Sequence, residues 1–521
     1  MQIRTLAVLS MFAGSLMGAC TGDPNDPMTW ANKLKNVREQ QEALNQLARM
    51  GVERAKVALP ALIELYKETK KPEHMDALVR YKDPSTIPLF VEALDFTEDD
   101  FDRAIVAAGA LGELKEKAVE AVPSLIKAVE HQLPIKSRAN GVRLASIRAL
   151  VKIGDKRAVP TLSKILTTSA DEQDFLLNQK AALGLAELRD PSAIPALIKG
   201  MFMTGRGANI FQECRLGIVR MGDPAVAPLI ELLNEKNAEI NEMARKLDFE
   251  KYSPGIVPFK AAMLLGDLRA AKAVPALAAR LRVPAKSGEH KSILISLGFI
   301  GSKDAVDVLL NTLRDKKVDA PTRSAAEDGI YLSGDKRAVP ILMETAKSGY
   351  VVVQGQKASD LRANAAIDLA RIAGPEHYEE FKALADKEKE VQGHFGEALD
   401  RMQVAKECGD KIDCYGKHLS DPSWTRAEKA AFWIGFSGNA KQGVPFLLGA
   451  LKPVASLTPE RFPVHQAILQ SLARLANKND KDVLDALDKQ IDRDETAVRI
   501  PGARDLLGET RVTLAVIQNK G

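Results

Sequence analysis

Apolar residues along this chain recur at helical spacing in short runs, and the runs come in pairs. In one kind of run Val159, Leu162, Ile165 and Leu166 share a face. In the other, RLASIRALVKIG from Arg143 to Gly154 carries an apolar stripe with polar residues opposite. Polar or glycine-bearing segments separate the runs, and the strict alternation a half-buried strand needs is not evident. The pattern predicts an all-α chain of antiparallel helix pairs. Two helices of this size cannot bury their apolar faces alone, so neighbouring pairs must stack, which makes an α-solenoid.

A recurring turn fixes the period. GDKRAVP occurs twice unchanged, from Gly154 to Pro160 and from Gly334 to Pro340. Looser copies end at Pro60, Pro88, Pro123, Pro195, Pro228, Pro275 and Pro445, while Asp307 and Glu379 stand where two others would have proline. From Pro60 to Pro228 the anchors are 28, 35, 37, 35 and 33 residues apart, a spacing typical of two-helix repeats. Gly154, Gly222 and Gly334 close the second helix of a pair, where a left-handed residue is wanted. The following Asp can cap the next helix, with the proline held in its first turn.

At these residues the sequence resembles the HEAT-repeat superfamily, in the short HEAT-like form also found in phycobilisome lyases. The resemblance covers nearly everything from about Trp30 onward and implies roughly twelve or thirteen pairs. It also implies a basic residue early in each second helix, which Arg103, Arg138, Lys180, Arg323, Arg362 and Lys429 supply. These are expected to bond turn carboxylates and carbonyls, not a ligand.

The N-terminus changes the picture of where the protein works. MQIRTLAVLSMFAGSLMGAC has one early positive charge, an apolar run from Leu6 to Met17 and a small-residue exit, the layout of a secretory signal peptide too short to span a bilayer. Its end resembles a bacterial lipobox, with Met17 departing from the usual leucine, and implies cleavage before Cys20 and acylation of that residue. The expected organisation is a signal peptide over 1–19, a lipidated tether over 20–29, an N-terminal array over 30–405 and C-terminal repeats over 406–521. The expected address is the cell envelope, lipid-anchored and facing the periplasm, with Thr21 after the Cys pointing to the outer membrane. In that oxidising setting Cys408 and Cys414 are expected to form a local disulfide. A metal site there would find only His418 and a few Asp nearby. Cys214, in a helical pattern, reads as a buried thiol.

Charge and chemistry narrow the function further. Lys+Arg number 73 and Asp+Glu 69, a net +4 without a block of one sign, so no field for nucleic acid is indicated. Catalytic relatives of the resemblance include hydroxylases that hold two irons on His-Glu dyads. The chain has no such dyad, only the reverse order at Glu73-His74, Glu130-His131, Glu289-His290 and Glu376-His377, expected as solvated loop residues. Aromatics, at 5%, are too sparse to suggest a chromophore pocket. Nucleophile, zinc and phosphate-loop motifs are missing from any usable context, and neither a cofactor, a metal nor a catalytic residue is assigned.

One asymmetry points to binding. Links from a second helix to the next pair are tight, whereas links inside pairs vary widely, as in MFMTGRGANIF from Met201, NEMARKLDFEKYSPG from Asn241 and VASLTPERFP from Val454. Like-placed insertions emerge on one edge of a solenoid, which becomes the expected partner edge, with Met203, Arg206, Phe211, Arg245 and Lys246 as its candidate residues. The expected function is a membrane-anchored scaffold, extended and without catalysis, that binds another envelope protein. The alternatives are a lyase- or hydroxylase-type cofactor-maturation protein and a self-associating structural element.

Overall fold

The computed structural model describes residues 22–520 except 98–99, 132–135, 206, 248–250, 252, 285–287, 316, 349–350, 355–356, 388–391 and 497–501. Cys20 and the leader therefore lie outside the described residues. Among the described residues no helix is long and apolar enough to cross a membrane.

The helix pairs follow the predicted period. Ile87–Glu92 pairs with Phe101–Leu114, Ile194–Gly200 with Phe211–Met221, and Val339–Ser348 with Arg362–Ile372. The repeated turn is more specific than a simple cap. In most Asp-bearing copies the Asp caps a single 3-10 turn, Asp83 accepting from Ser85 N, Asp190 from Ser192 N and Asp335 from Arg337 N, whereas Asp223 lies inside its turn and pairs with Lys272. The helix proper then begins with proline in its first turn, where the missing N–H had no partner to lose. In both exact copies the arginine bonds its own aspartate and also the preceding repeat, Arg157 reaching Val119 O at 2.9 Å and Arg337 reaching Asp307 at 2.8 Å.

Gly154, Gly222 and Gly334 all take positive φ, as their position requires. The first and last of these make a controlled comparison. A Cβ on Gly154 meets open space, whereas one on Gly334 lies 2.3 Å from the Phe436 ring. Gly154→Ala is expected to cost only the left-handed backbone term, about 1–2 kcal/mol. Gly334→Ala adds displacement of Phe436 and is expected to cost clearly more in urea unfolding; equal losses would refute that packing.

The chain forms two compact units, one ending at Ala158 and one beginning at Val159. The boundary expected at 405/406 falls inside the Gln392–Cys408 helix instead. Contacts continue through that helix into its neighbours on both sides, so the irregular sequence there marks a repeat and not a domain edge.

In the first unit a charge ladder crosses successive pairs. Glu113 accepts from Lys152 at 2.6 Å and from Lys82 at 2.9 Å. These two ammonium groups, Lys152 first, hold its carboxyl down at about 2.

The second unit departs from the expected open, extended stack. Its row of helices winds until the Ala503–Asn519 helix packs on Phe211–Met221, nearly three hundred residues earlier. Asn519 donates to Val219 O at 2.6 Å, Arg504 to Asn209 O at 2.8 Å, and Arg215 pairs with Glu509 at 2.6 Å. Arg474 donates to Leu332 O at 2.7 Å and stacks on Phe436 at 4.2 Å. Second helices of this unit that are far apart in sequence therefore meet one another.

Candidate functional site

Several long links fall inside pairs, as the sequence suggests. Hairpins at 204–209 and 351–360 and the extra Ala238–Lys246 helix all interrupt the link between first and second helices of a pair, while links between pairs stay short, several of them one 3-10 turn. The Ile194–Gly200 and Ala238–Lys246 helices approach each other, Lys199 pairing with Glu239 at 2.8 Å.

The apolar patch anticipated on that edge is not exposed. Met201, Phe202 and Met203 are buried, and Met203 is 7% exposed. Phe211 is half-buried, and Lys260 is the reason. Its ammonium sits 4.8 Å from the Phe211 ring and 4.6 Å from the Phe202 ring while donating to Met201 O at 2.6 Å. Burial pushes this amine down to about 8. The link closes the core of its own pair, so Met203, expected on the partner edge, is spent on packing, and Phe211 is half covered. Arg206 lies outside the described residues. Arg245 and Lys246 do stand in solvent, both 71% exposed and both paired with Glu242 in the same helix.

The basic residues of the second helices behave as expected where they are described. Lys429, fully buried, donates to Ala370 O, Arg371 O and Ala373 O at 2.6–2.9 Å and so caps the Arg362–Ile372 helix. Arg103 pairs with Asp100 at 2.6 Å and Arg362 with Asp360 at 2.6 Å, and Arg323 donates to Leu313 O and Thr345. Lys180 instead lines a polar cleft of about 390 Å³ with Glu213, Arg504 and Arg511, where the first and last second helices of the unit meet. The side chain of Arg138 lies outside the described residues.

The reversed Glu-His pairs are not uniformly solvated. Glu289 is fully buried on Arg280, and His74 is buried with its Nδ1 at 2.6 Å from Thr69 Oγ1. Both are packing elements. Cys408 and Cys414 are bonded, with Cα atoms 5.3 Å apart, and Cys214 is a buried free thiol that burial makes harder to ionise. Cys408, Cys414 and His418 are the metal-ligand types that converge among the described residues. With the sulfurs in a disulfide, His418 bonds Asp421 at 3.0 Å and approaches Glu407 at 3.3 Å.

A more defined cavity lies next to that disulfide, in a place the sequence did not single out. It encloses about 480 Å³. One wall is the end of the Ile412–His418 helix, with Gly416 and Leu419; the second is Pro445, Phe446 and Gly449 of the Ala440–Ala450 helix. Val464, His465 and Ile468 of Phe462–Leu475 complete it, and the 451–461 link supplies Lys452, Leu457 and Arg461 at the rim.

Both sides of the cavity are braced. The disulfide and the Tyr415 hydroxyl, donating to Gly409 O at 2.9 Å, hold the first wall. On the other side buried Asp494 accepts from Val454 N at 2.9 Å, and Gln490 donates to Lys452 O at 2.9 Å. His465 is 2% exposed, and its Nε2 has no hydrogen-bond partner. Burial pushes this imidazole down to about 4 against the pull of Asp494, so it is neutral across the ordinary range. A preformed, mainly apolar cavity of this size can bind a small group. His465 was only one of seven histidines in the sequence; the two flanking glycines, 33 residues apart, were the sole trace of the cavity.

Comparison with known proteins agrees on the repeat. Residues 87–174 and 132–204 match the family of HEAT repeats. The phycocyanobilin lyase subunit alpha of Nostoc sp. (strain PCC 7120 / SAG 25.82 / UTEX 2576) is 36% identical over 102 residues, 19% of this chain and 35% of that protein. The match thus spans about a third of the relative. Among solved structures, Kap121p is 12% identical with a TM-score of 0.41, covering 95% of this chain and 67% of that one. The complex of CpcE and CpcF of phycocyanin lyase from Nostoc sp. PCC7120 is 20% identical with a TM-score of 0.21, covering 61% and 94%.

Proposed function

We propose that this chain, whose residues 87–204 match HEAT repeats, is a binding scaffold of the bacterial cell envelope, tethered through acylated Cys20. The observation that supports the binding role is that the longer links fall inside pairs, one of them carrying the exposed Arg245 and Lys246. A solenoid spends its helix faces on neighbouring repeats and has its edges to offer. The expected partner is therefore a protein that meets a charged, loop-bearing edge, not an apolar one.

Two substitutions test the two halves of this reading. Cys20→Ala is expected to abolish labelling by a palmitate analogue and to release the protein from the membrane fraction; unchanged labelling and partitioning would remove the anchor. Arg245→Glu combined with Lys246→Glu is expected to lower partner recovery from detergent extracts several-fold while thermal unfolding stays within about 0.5 kcal/mol, as for surface changes. Equal recovery would take this edge out of the account.

A second reading follows from the match to a phycocyanobilin lyase subunit: a HEAT-like protein that handles a linear tetrapyrrole. Adding phycocyanobilin and recording the visible spectrum separates the two, since a scaffold leaves the chromophore's bands unshifted.

A further inference from the structure

We propose that Cys408, Cys414 and His418 bind a divalent cation of the zinc type once the disulfide between the two cysteines is reduced. Disulfide and metal centre are then two states of one site, independent of the scaffold reading.

The placement follows from two helix ends. Cys408 closes the Gln392–Cys408 helix, and Cys414 and His418 stand four residues apart in Ile412–His418, on one face of it. One ligand atom from each of the three lies within 4.8 Å of the other two. Zinc with bonds of about 2.0–2.3 Å sets tetrahedral ligands roughly 3.5–4 Å apart, so the sulfurs part on reduction and the imidazole moves in by about 1 Å. The turn between the helices has a hold of its own. Gly409 supplies a positive φ, and buried Tyr415, stacked on Trp433 at 5.7 Å, donates to Gly409 O at 2.9 Å.

The surroundings suit a cation at His418. Asp421 accepts from Nδ1 at 3.0 Å, which fixes the ring and leaves Nε2 for a metal. Glu407 Oε2 stands 3.3 Å from Nε2, while its Oε1 is held by Gln403 at 2.9 Å and Arg426 at 3.0 Å. That carboxylate adds negative charge beside the site. Two thiolates and an imidazole form a borderline-soft set that favours zinc over magnesium or calcium and leaves a fourth position to water.

The switch between the two states balances with a dithiol as reductant. Its thiolate attacks Cys414 Sγ, half-buried where Cys408 is 2% exposed, forms a mixed disulfide and expels Cys408 as the thiolate. The reductant's second thiol closes its own disulfide and releases Cys414. Two electrons reach the pair, the reductant leaves oxidised, and zinc displaces one proton from each thiol.

The probe is cobalt(II), added to the full chain after reduction by a phosphine and removal of the excess. About one cobalt per chain is expected, with thiolate charge-transfer absorption in the near ultraviolet and the intense visible bands of a tetrahedral ion, all removed by added zinc. The oxidised chain is expected to show none of these. Cys414→Ser is expected to abolish the charge-transfer band. His418→Ala keeps the disulfide and so tests the site in a chain with its covalent brace intact; it is expected to weaken cobalt binding at least about tenfold, the scale already seen for groups that only orient a ligand. No charge-transfer band in the reduced wild type, equal binding by the oxidised chain, or undiminished affinity in His418→Ala would overturn the proposal.

Discussion

Arg401→Leu is expected to destabilise the second unit by about 3–5 kcal/mol, the cost of leaving half of a buried ion pair behind. Arg401 is fully buried, donating to Glu428 at 2.5 and 2.8 Å and lying 5.0 Å from the Trp424 ring. Glu428 also accepts from Arg371 at 2.8 Å, and Arg371 bonds Asp368 at 2.8 Å. Burial works to raise the Glu428 carboxyl, but Arg371 and then Arg401 outweigh it and hold it below the usual range. Leucine removes one of these two cations and the ring contact together. Urea unfolding monitored by tryptophan fluorescence reads the loss. A change under about 1 kcal/mol would mean that Arg371 alone satisfies Glu428. Arg401→Leu with Glu428→Gln is expected to recover part of the loss, because no unpaired buried charge then remains.

Glu327→Gln is expected to act in the opposite direction and only above acidic pH. Glu327 is fully buried, and neither carboxylate oxygen has a hydrogen-bond partner; its nearest cation, Arg323, is 3.8 Å away. Burial first, then Asp368, push its pKa well above the ordinary value, against Arg323, while Asp328 adds to the rise. Below the unfolded-state pKa the group is protonated whether folded or not, and the substitution changes little. As pH rises above the unfolded-state pKa towards the raised folded one, the unfolded carboxyl ionises while the folded one stays protonated, so wild-type stability falls relative to the variant until the folded pKa is passed. Glutamine is expected to be level with wild type near pH 4 and more stable by about 1 kcal/mol near pH 8, the scale for a buried polar group without a partner. Thermal unfolding across that range checks it, and a gain that is independent of pH would refute the assignment.

Much of the repeat was legible because its determinants are local. Gly154 and Gly334 need positive φ, Asp190 and Asp335 cap turns two residues on, and prolines sit where no N–H is used. The basic residues of the second helices were legible for the same reason, since Lys429 and Arg323 bond carbonyls at helix ends that any such repeat must satisfy. The candidate edge was half legible. Sequence located the long links, but Met201, Phe202 and Met203 are equally apolar whether they cover a core or greet a partner. Lys260, 57 residues beyond Met203, decided the matter by closing over Phe202 and Phe211.

By itself, then, the sequence determined the helix pairs, their period, their turns and the side on which the long links emerge, because each depends on a few consecutive residues and on apolar spacing. The tertiary structure alone decided how far the second unit winds. Small rotations between repeats add up until Ala503–Asn519 meets Phe211–Met221, and no local pattern records that sum. That winding buries Arg215 against Asp267 and Glu509, polar positions that read as solvent-facing in any single helix. Stacking likewise makes the cavity of about 480 Å³ beside the disulfide, lined by residues from three helices and a link that become neighbours only when the repeats pack.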